Sequence, residues 1–200
     1  MITVSTDGSC LRNPGGAIGW AWANHDGTFD SGAVASGTNQ IAELMAVLEA
    51  ITSHPGDEPL CIEADSQYAI KCASEWVHGW RRKGWRTANG KPVQNLALVQ
   101  GIERAIAERP GPVTFVWVRG HQGDRFNERA DELAGIAARE IRDGTYVERE
   151  RLTPAAPSNA ASVTAASVAG APVAAARVQA APVAAAPAVV ALEPAVDTLF

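Results

Sequence analysis

The first nine residues after the initiator alternate. In ITVSTDGSC, Ile2, Val4 and Thr6 fall on one face and Thr3, Ser5 and Asp7 on the other, the two-residue period of a strand. Asp7-Gly8 has turn chemistry, so the strand is predicted to end at Asp7. CLRNPGG reads as a loop, after which Ile18, Trp20 and Trp22 alternate again up to a turn at Asp26-Gly27. FDSGAVAS returns as a third strand, giving an antiparallel meander. The period then changes to that of a helix: Ile41, Leu44, Leu48 and Ile51 in TNQIAELMAVLEAITSH, with Thr38 or Asn39 placed to cap it. PLCIEAD is a fourth strand ending at Asp65, and SQYAIKCASEWVHGW a helix. Leu96, Val99, Ile102 and Ile106 mark a further helix, VTFVWVRGH a fifth strand, and NERADELAGIAAREIRDG a closing helix stopped by Gly144. The order βββαβααβα predicts an α/β domain built on a mixed sheet.

Composition changes sharply near residue 150. From Arg151 to Phe200 only Arg151, Arg177, Glu193 and Asp197 are charged, so the formal -5 of the chain belongs to its first 150 residues. Six of the 12 prolines lie in that last segment, and APVAAA occurs at Ala171 and again at Ala181. Prolines interrupt a long helix, and Ala with Val buries too little area to offset chain entropy. Residues 146–200 are therefore expected to form a disordered, linker-like tail after a domain of residues 1–145. A membrane span is the alternative for so charge-poor a stretch; weakly apolar Ala and recurring Pro argue against it.

Net charge of -5 advertises no polyanion partner, so any nucleic-acid site has to be a local patch. Cys10, Cys61 and Cys72 are too few and scattered for a disulfide framework or a Cys-rich metal knuckle. With no leader pattern ahead of the first strand, a cytoplasmic location is expected.

Four acids stand out by the elements that carry them: Asp7 and Asp65 at strand ends, Glu43 in the first turns of one helix and Asp131 in those of the last. If strands one and four are parallel neighbours, Asp7 and Asp65 meet at the carboxyl edge of the sheet, where ligands of open α/β sheets bind. Clustered carboxylates raise one another's pKa unless a cation compensates, and an oxygen-only set suits Mg²⁺ or Mn²⁺. Taken singly, each acid could be a helix-dipole, capping or surface residue.

The segments STDGSCLRNPGG, GTNQIAELMA, ADSQYAIKCASEWVHGWRRKGWRTANGKPVQN and WVRGHQGDRFNERADELA resemble bacterial ribonucleases HI, of the ribonuclease H family, in order and spacing over residues 1–142. The resemblance implies a ribonuclease H-like fold: a five-stranded mixed sheet, three strands antiparallel and two parallel to the first, flanked by helices. It implies an endonuclease that cuts the RNA strand of RNA·DNA hybrids by two-metal-ion catalysis, leaving 5′-phosphate and 3′-hydroxyl ends. The family's metal ligands fall on Asp7, Glu43, Asp65 and Asp131, with two Mg²⁺ ions in the substrate complex, and its mobile catalytic histidine falls on His121.

The same resemblance places Asn13, Asn39, Gln40 and Gln67 along the path that reads the 2′-hydroxyl, and Thr38 and Asn95 on a phosphate of the DNA strand. Residues 78–91 hold Arg81, Arg82, Lys83, Arg86 and Lys91 and no acid, interleaved with Trp80 and Trp85 and preceded by Trp76. A solvated helix end is the ordinary reading of such a run. Cations between aromatic planes also suit a groove that packs sugars and neutralises phosphates, and in the family this is the basic protrusion. Arg12 stands where many relatives have Gly. The alternatives are a non-catalytic hybrid-binding module, against which the complete acidic quartet argues, and another nuclease or integrase on the same fold. A monomer is expected, and the tail's partner is not legible.

Because every matched motif precedes it, the tail is expected to be dispensable for chemistry. A chain ending at Arg151 should unfold and turn over like the full length; thermal melts and a cleavage assay of both check this.

Overall fold

The computed structural model describes residues 1–147; the expectations for residues beyond 147 lie outside the described residues. The strands are β1 (Ile2–Cys10), β2 (Ile18–Asn24), β3 (Phe29–Val34), β4 (Leu60–Ala64) and β5 (Val113–Trp117). They form one sheet in the order β3-β2-β1-β4-β5, with the first three antiparallel and β4 and β5 parallel to β1. The helices are α1 (Asn39–Thr52), α2 (Gln67–Lys71), α3 (Val77–Arg82), α4 (Leu96–Glu108) and α5 (Arg125–Asp143), and a π-helical turn, Cys72–Trp76, joins α2 to α3.

Register fixes which side chain faces which helix. Asp7 pairs with Ala21 and Gly8 with Trp20, so alternation sends Val4, Thr6 and Gly8 toward α1, and Ser5 and Asp7 toward α5. The larger core lies on the α1 side, where Val4, Leu44, Val47, Ile51, Leu60 and Ile62 pack with Val99 and Ile102 of α4. Each such fully buried aliphatic contributes about 1.5–3 kcal/mol relative to exposure. On the opposite face Ala21 meets Leu133 and Ala134 of α5. The central strand is therefore covered on both sides, which is why Ser5 and Thr6 are as buried as Val4.

Two glycines let the helices come this close. A Cβ at Gly8 would collide with the backbone nitrogen of Glu43, and one at Gly19 with the carbonyl oxygen of Ala134. Helix ends follow side-chain chemistry: Thr38 Oγ1 accepts from the Ile41 N–H at 3.2 Å, Asp124 accepts from Phe126 and Asn127, and Gly144 ends α5 at φ 71°.

Several boundaries differ from the sequence expectation: β3 closes at Val34 rather than Ser36, and β4 at Ala64 rather than Asp65. β1 does not end at Asp7; it runs on to Cys10 because β2 continues alongside, and only the β4 pairing stops, at Thr6–Ala64. The helix after Asp65 contains the π turn, where Ser74 Oγ donates back to the Ile70 carbonyl at 2.8 Å. β5 stops at Trp117, opposite the last residue of β4, and leaves residues 118–124 as a loop. α5 starts two residues early, at Arg125, because Asp124 caps it.

Gly19→Ala should lower the stability of the domain by about 1–3 kcal/mol, since α5 has no room to accept a methyl group without shifting. Urea unfolding monitored by tryptophan fluorescence checks this.

Candidate active site

Thr6 and Ala64 are the last registered pair of the parallel strands β1 and β4, so Asp7 and Asp65 stand side by side one residue beyond it. Glu43, in the second turn of α1, is carried to the same edge by the tight approach of that helix to Gly8. One carboxylate oxygen from each of Asp7, Glu43 and Asp65 lies within 4.8 Å of the others. Asp7 and Glu43 are only 6% and 7% exposed, whereas Asp65 is half-buried. Asp131, in the second turn of α5, lies outside that tight group, half-exposed at its margin.

The electrostatics of the trio are uncompensated. Burial, then the charges of Asp65 and Asp131, push the Asp7 carboxyl up to about 8, against a 2.6 Å hydrogen bond from the Gly8 N–H. Glu43 is pushed well above its usual range by burial and then by Asp7 and Asp65, with the Asn39 amide opposing at 3.3 Å. Asp65 is raised by burial, with His121 opposing and Asp131 adding to the rise. Among the described residues none of the three pairs with Lys or Arg. Oxygen-only donors, crowded, buried and lacking a positive partner, fit a hard divalent cation.

His121 lies on the loop between β5 and α5 at φ 54°, with its side chain 78% exposed and Nδ1 3.8 Å from Asp131 Oδ2. The neighbouring Gly120 presses on Asp65 so closely that a Cβ there would collide with Oδ2.

The other positions named from the resemblance lie on the loops and helix starts of the domain. Asn13, on the β1–β2 loop, accepts the Asn39 N–H at 3.3 Å. Gln40 and Gln67 are exposed near the starts of α1 and α2. The Thr38 hydroxyl caps α1. Asn95 stands ahead of α4 at φ 53° and donates its amide to the Tyr68 hydroxyl at 3.2 Å. In the basic segment, Trp76 and Trp80 lie 5.5 Å apart between centroids, and Trp80 and Trp85 pack partly on the core. Arg81 is paired with Glu103 at 2.8 Å and Arg86 donates to the Gly90 carbonyl, while Arg82 and Lys83 are exposed. The sequence alone marks Gly8 as a turn residue and Gly120 as part of a flexible loop, not as close-approach points, and gives Trp117 no role beyond its strand. A glycine beside a catalytic-type residue was the available signal for the first two.

A mixed sheet in this order with carboxylates at the edge of its parallel pair defines the ribonuclease H-like class of α/β proteins. A family model described as RNase H matches residues 1–139, and the chain belongs to the RNase H family. Ribonuclease H of Tropheryma whipplei (strain Twist) is 44% identical over 138 residues, covering 68% of this chain and 84% of that protein. Ribonuclease H of Cupriavidus metallidurans is 43% identical over 143 residues, covering 68% and 96%. Among solved structures, LC9-RNase H1, a type 1 RNase H with the type 2 active-site motif, is 30% identical with a TM-score of 0.59, covering 70% of this chain and 72% of that one. A foamy viral protease-reverse transcriptase in complex with RNA/DNA hybrid has the same TM-score of 0.59 at 23% identity, covering 68% of this chain and 20% of that one, a likeness of fold alone. The protein is thus a ribonuclease, a hydrolase, and family and fold together support activity on RNA·DNA hybrids.

The raised carboxyl of Asp7 has a stability consequence in chelator. Folding holds the proton to about 8, whereas the unfolded chain releases it near 3.8, so stability is full below that lower value and is lost as pH rises through the upper one. Asp7→Asn should therefore stabilise the chelated protein at about pH 8 and change it little at about pH 4, with Mg²⁺ giving the wild type a similar gain. Urea midpoints at both pH values, in EDTA and in Mg²⁺, check this.

Proposed function

We propose that the chain hydrolyses the RNA strand of RNA·DNA hybrids as an endonuclease, leaving 5′-phosphate and 3′-hydroxyl ends. Asp7, Glu43, Asp65 and Asp131 would hold two Mg²⁺ ions, or Mn²⁺. The observation that carries this reading is the trio of Asp7, Glu43 and Asp65 at one sheet edge, two of them buried, with carboxyls pushed upward and, among the described residues, no Lys or Arg paired to them. Bound cations supply charge neutralisation at the scissile phosphate and acidify a water.

The chain's own residues do the rest. Asp7, fixed within β1, presents its carboxylate beside those of Glu43 and Asp65. Asp131 and His121 flank the trio from the α5 side, and the exposed imidazole has the reach to move a proton at the leaving oxygen or to help product leave. Asn13, Asn39, Gln40 and Gln67 offer amides to the sugar edges, and Thr38 and Asn95 offer a hydroxyl and an amide to a DNA-strand phosphate. Trp76, Trp80 and Trp85 pack sugars, while Arg81, Arg82, Lys83 and Arg86 meet phosphates electrostatically. No helix among the described residues is long and apolar enough to cross a membrane. We place the enzyme in the cytoplasm as a monomer.

The test is incubation of the purified chain with end-labelled RNA·DNA, RNA·RNA and DNA·DNA duplexes in Mg²⁺, Mn²⁺ or EDTA, with analysis of the product ends. Only the RNA of the hybrid should be cut, and only with the cation. Equal cutting of RNA·RNA, or cutting in EDTA, would overturn the proposal. His121→Ala should lower turnover by ~10²- to 10⁴-fold, the usual contribution of a general acid or base, without abolishing Mg²⁺ binding. Wild-type turnover would make His121 a loop residue only.

A further inference from the structure

Asp7 sits inside a strand and Glu43 inside a helix, but Asp65 belongs to neither: it is the single step between the end of β4 at Ala64 and Ser66, the cap of α2. It is also the least buried of the three. Its backbone therefore needs an external hold. The β4–β5 ladder ends at Ala64–Trp117, with the Val118 N–H donating to the Ala64 carbonyl at 3.0 Å. One residue further on, the carbonyl of Asp65 accepts instead from a side chain, the indole Nε1–H of Trp117, at 3.0 Å.

Trp117 is an unusual residue for a merely packing role. It closes an edge strand with 48% of its surface still exposed, and the one polar atom of its side chain donates to the backbone of Asp65 at the acidic edge. Three residues later Gly120 packs on the Asp65 carboxylate itself. The exit of β5 thus holds both the peptide and the carboxylate of Asp65, and the same loop carries His121.

We propose that Trp117 is a positioning residue, whose indole N–H fixes the Asp65 peptide so that the carboxylate keeps its place beside Asp7 and Glu43. The proposal rests on the reading of Asp65 as a cation ligand given above. A purely structural alternative is stacking of the ring on α2, where Gln67, Ile70, Lys71 and Glu75 line a small groove with it. The two differ in what a ring without an N–H can do.

The experiment compares full-length Trp117→Phe, Trp117→Ala and Asp65→Asn with wild type. The readouts are Mn²⁺ binding to the substrate-free protein by calorimetry, kcat and KM on one hybrid across Mg²⁺ concentrations, and the urea midpoint. Trp117→Phe keeps the ring and should nevertheless bind Mn²⁺ about 10-fold more weakly and lose a similar factor in kcat, as loss of a ligand-orienting hydrogen bond typically does. Its KM and urea midpoint should stay at wild-type values, excess Mg²⁺ should restore much of kcat, and Trp117→Ala should be no worse in Mn²⁺ affinity. Wild-type Mn²⁺ affinity and kcat in Trp117→Phe, or a kcat loss that excess Mg²⁺ leaves untouched, would overturn the proposal. If Asp65→Asn loses Mn²⁺ binding and turnover while Trp117→Phe keeps both, only the role of Trp117 falls. If Asp65→Asn keeps both, the reading of Asp65 as a ligand falls first, and this proposal with it.

Discussion

The parallel pairing of β1 with β4 stops at Thr6 and Ala64, and the next residue on each strand is an aspartate. No ordinary packing preference would leave two carboxyls there with a third from α1. At an effective dielectric of about 20, two unit charges 4.8 Å apart repel by roughly 3.5 kcal/mol, before any cost of burial. With no cation bound, burial and that repulsion push both carboxyls upward, Asp7 to about 8 and Glu43 well above its usual range. Protons and a cation would thus compete for the same groups, and whatever neutralises the trio also relieves the fold. Strain of this kind persists because the surrounding core, from Val4 to Ile102, is strong enough to carry it.

Close approach is the second condition. Glu43 reaches the edge only because Gly8, the residue after Asp7, has no side chain, so the backbone of α1 lies against the strand. Gly19 does the same for α5 on the other face, and so sets how near Asp131 and the His121 loop come to the trio. Packing and chemistry are in this sense one constraint: a methyl group at either glycine acts first on helix position and through it on the carboxylates.

Much of this was readable from the residues. Alternation at Ile18, Trp20 and Trp22, the helical spacing from Ile41 to Ile51 and the stop at Gly144 each place an element where the structure has it. What stayed hidden depends on partners distant in sequence. Asp7 looked like a strand end because Asp-Gly is turn chemistry, yet β2 holds it in the ladder through Ala21. β5 looked longer because Val118 continues an apolar run, but β4 offers nothing beyond Ala64 to pair with. Trp117 gave no signal, since an exposed aromatic in a strand becomes informative only once its N–H is seen on Asp65. Five cations in residues 78–91 likewise read as one patch, although Arg81 is already matched by Glu103 of α4.

That last pairing bears on how the basic segment is joined to the acidic edge. The chain leaves Asp65, is capped at Ser66, and continues through α2, the π turn and α3 to Arg82. Ala69, Cys72, Ala73 and Val77 along this path are buried in the main core, so the path is anchored by one face over its whole length. The Arg81–Glu103 pair ties its far end to α4, and Trp85 folds back to donate its N–H to the Trp80 carbonyl at 2.7 Å. The distance between the acidic edge and the exposed Arg82 and Lys83 is therefore set by a braced helical segment rather than by a free loop. An extra residue in the π turn is the one irregularity along it, and it rotates everything beyond Trp76 relative to Asp65. On the proposed function, a duplex held by the basic end would meet the carboxylates at a fixed spacing.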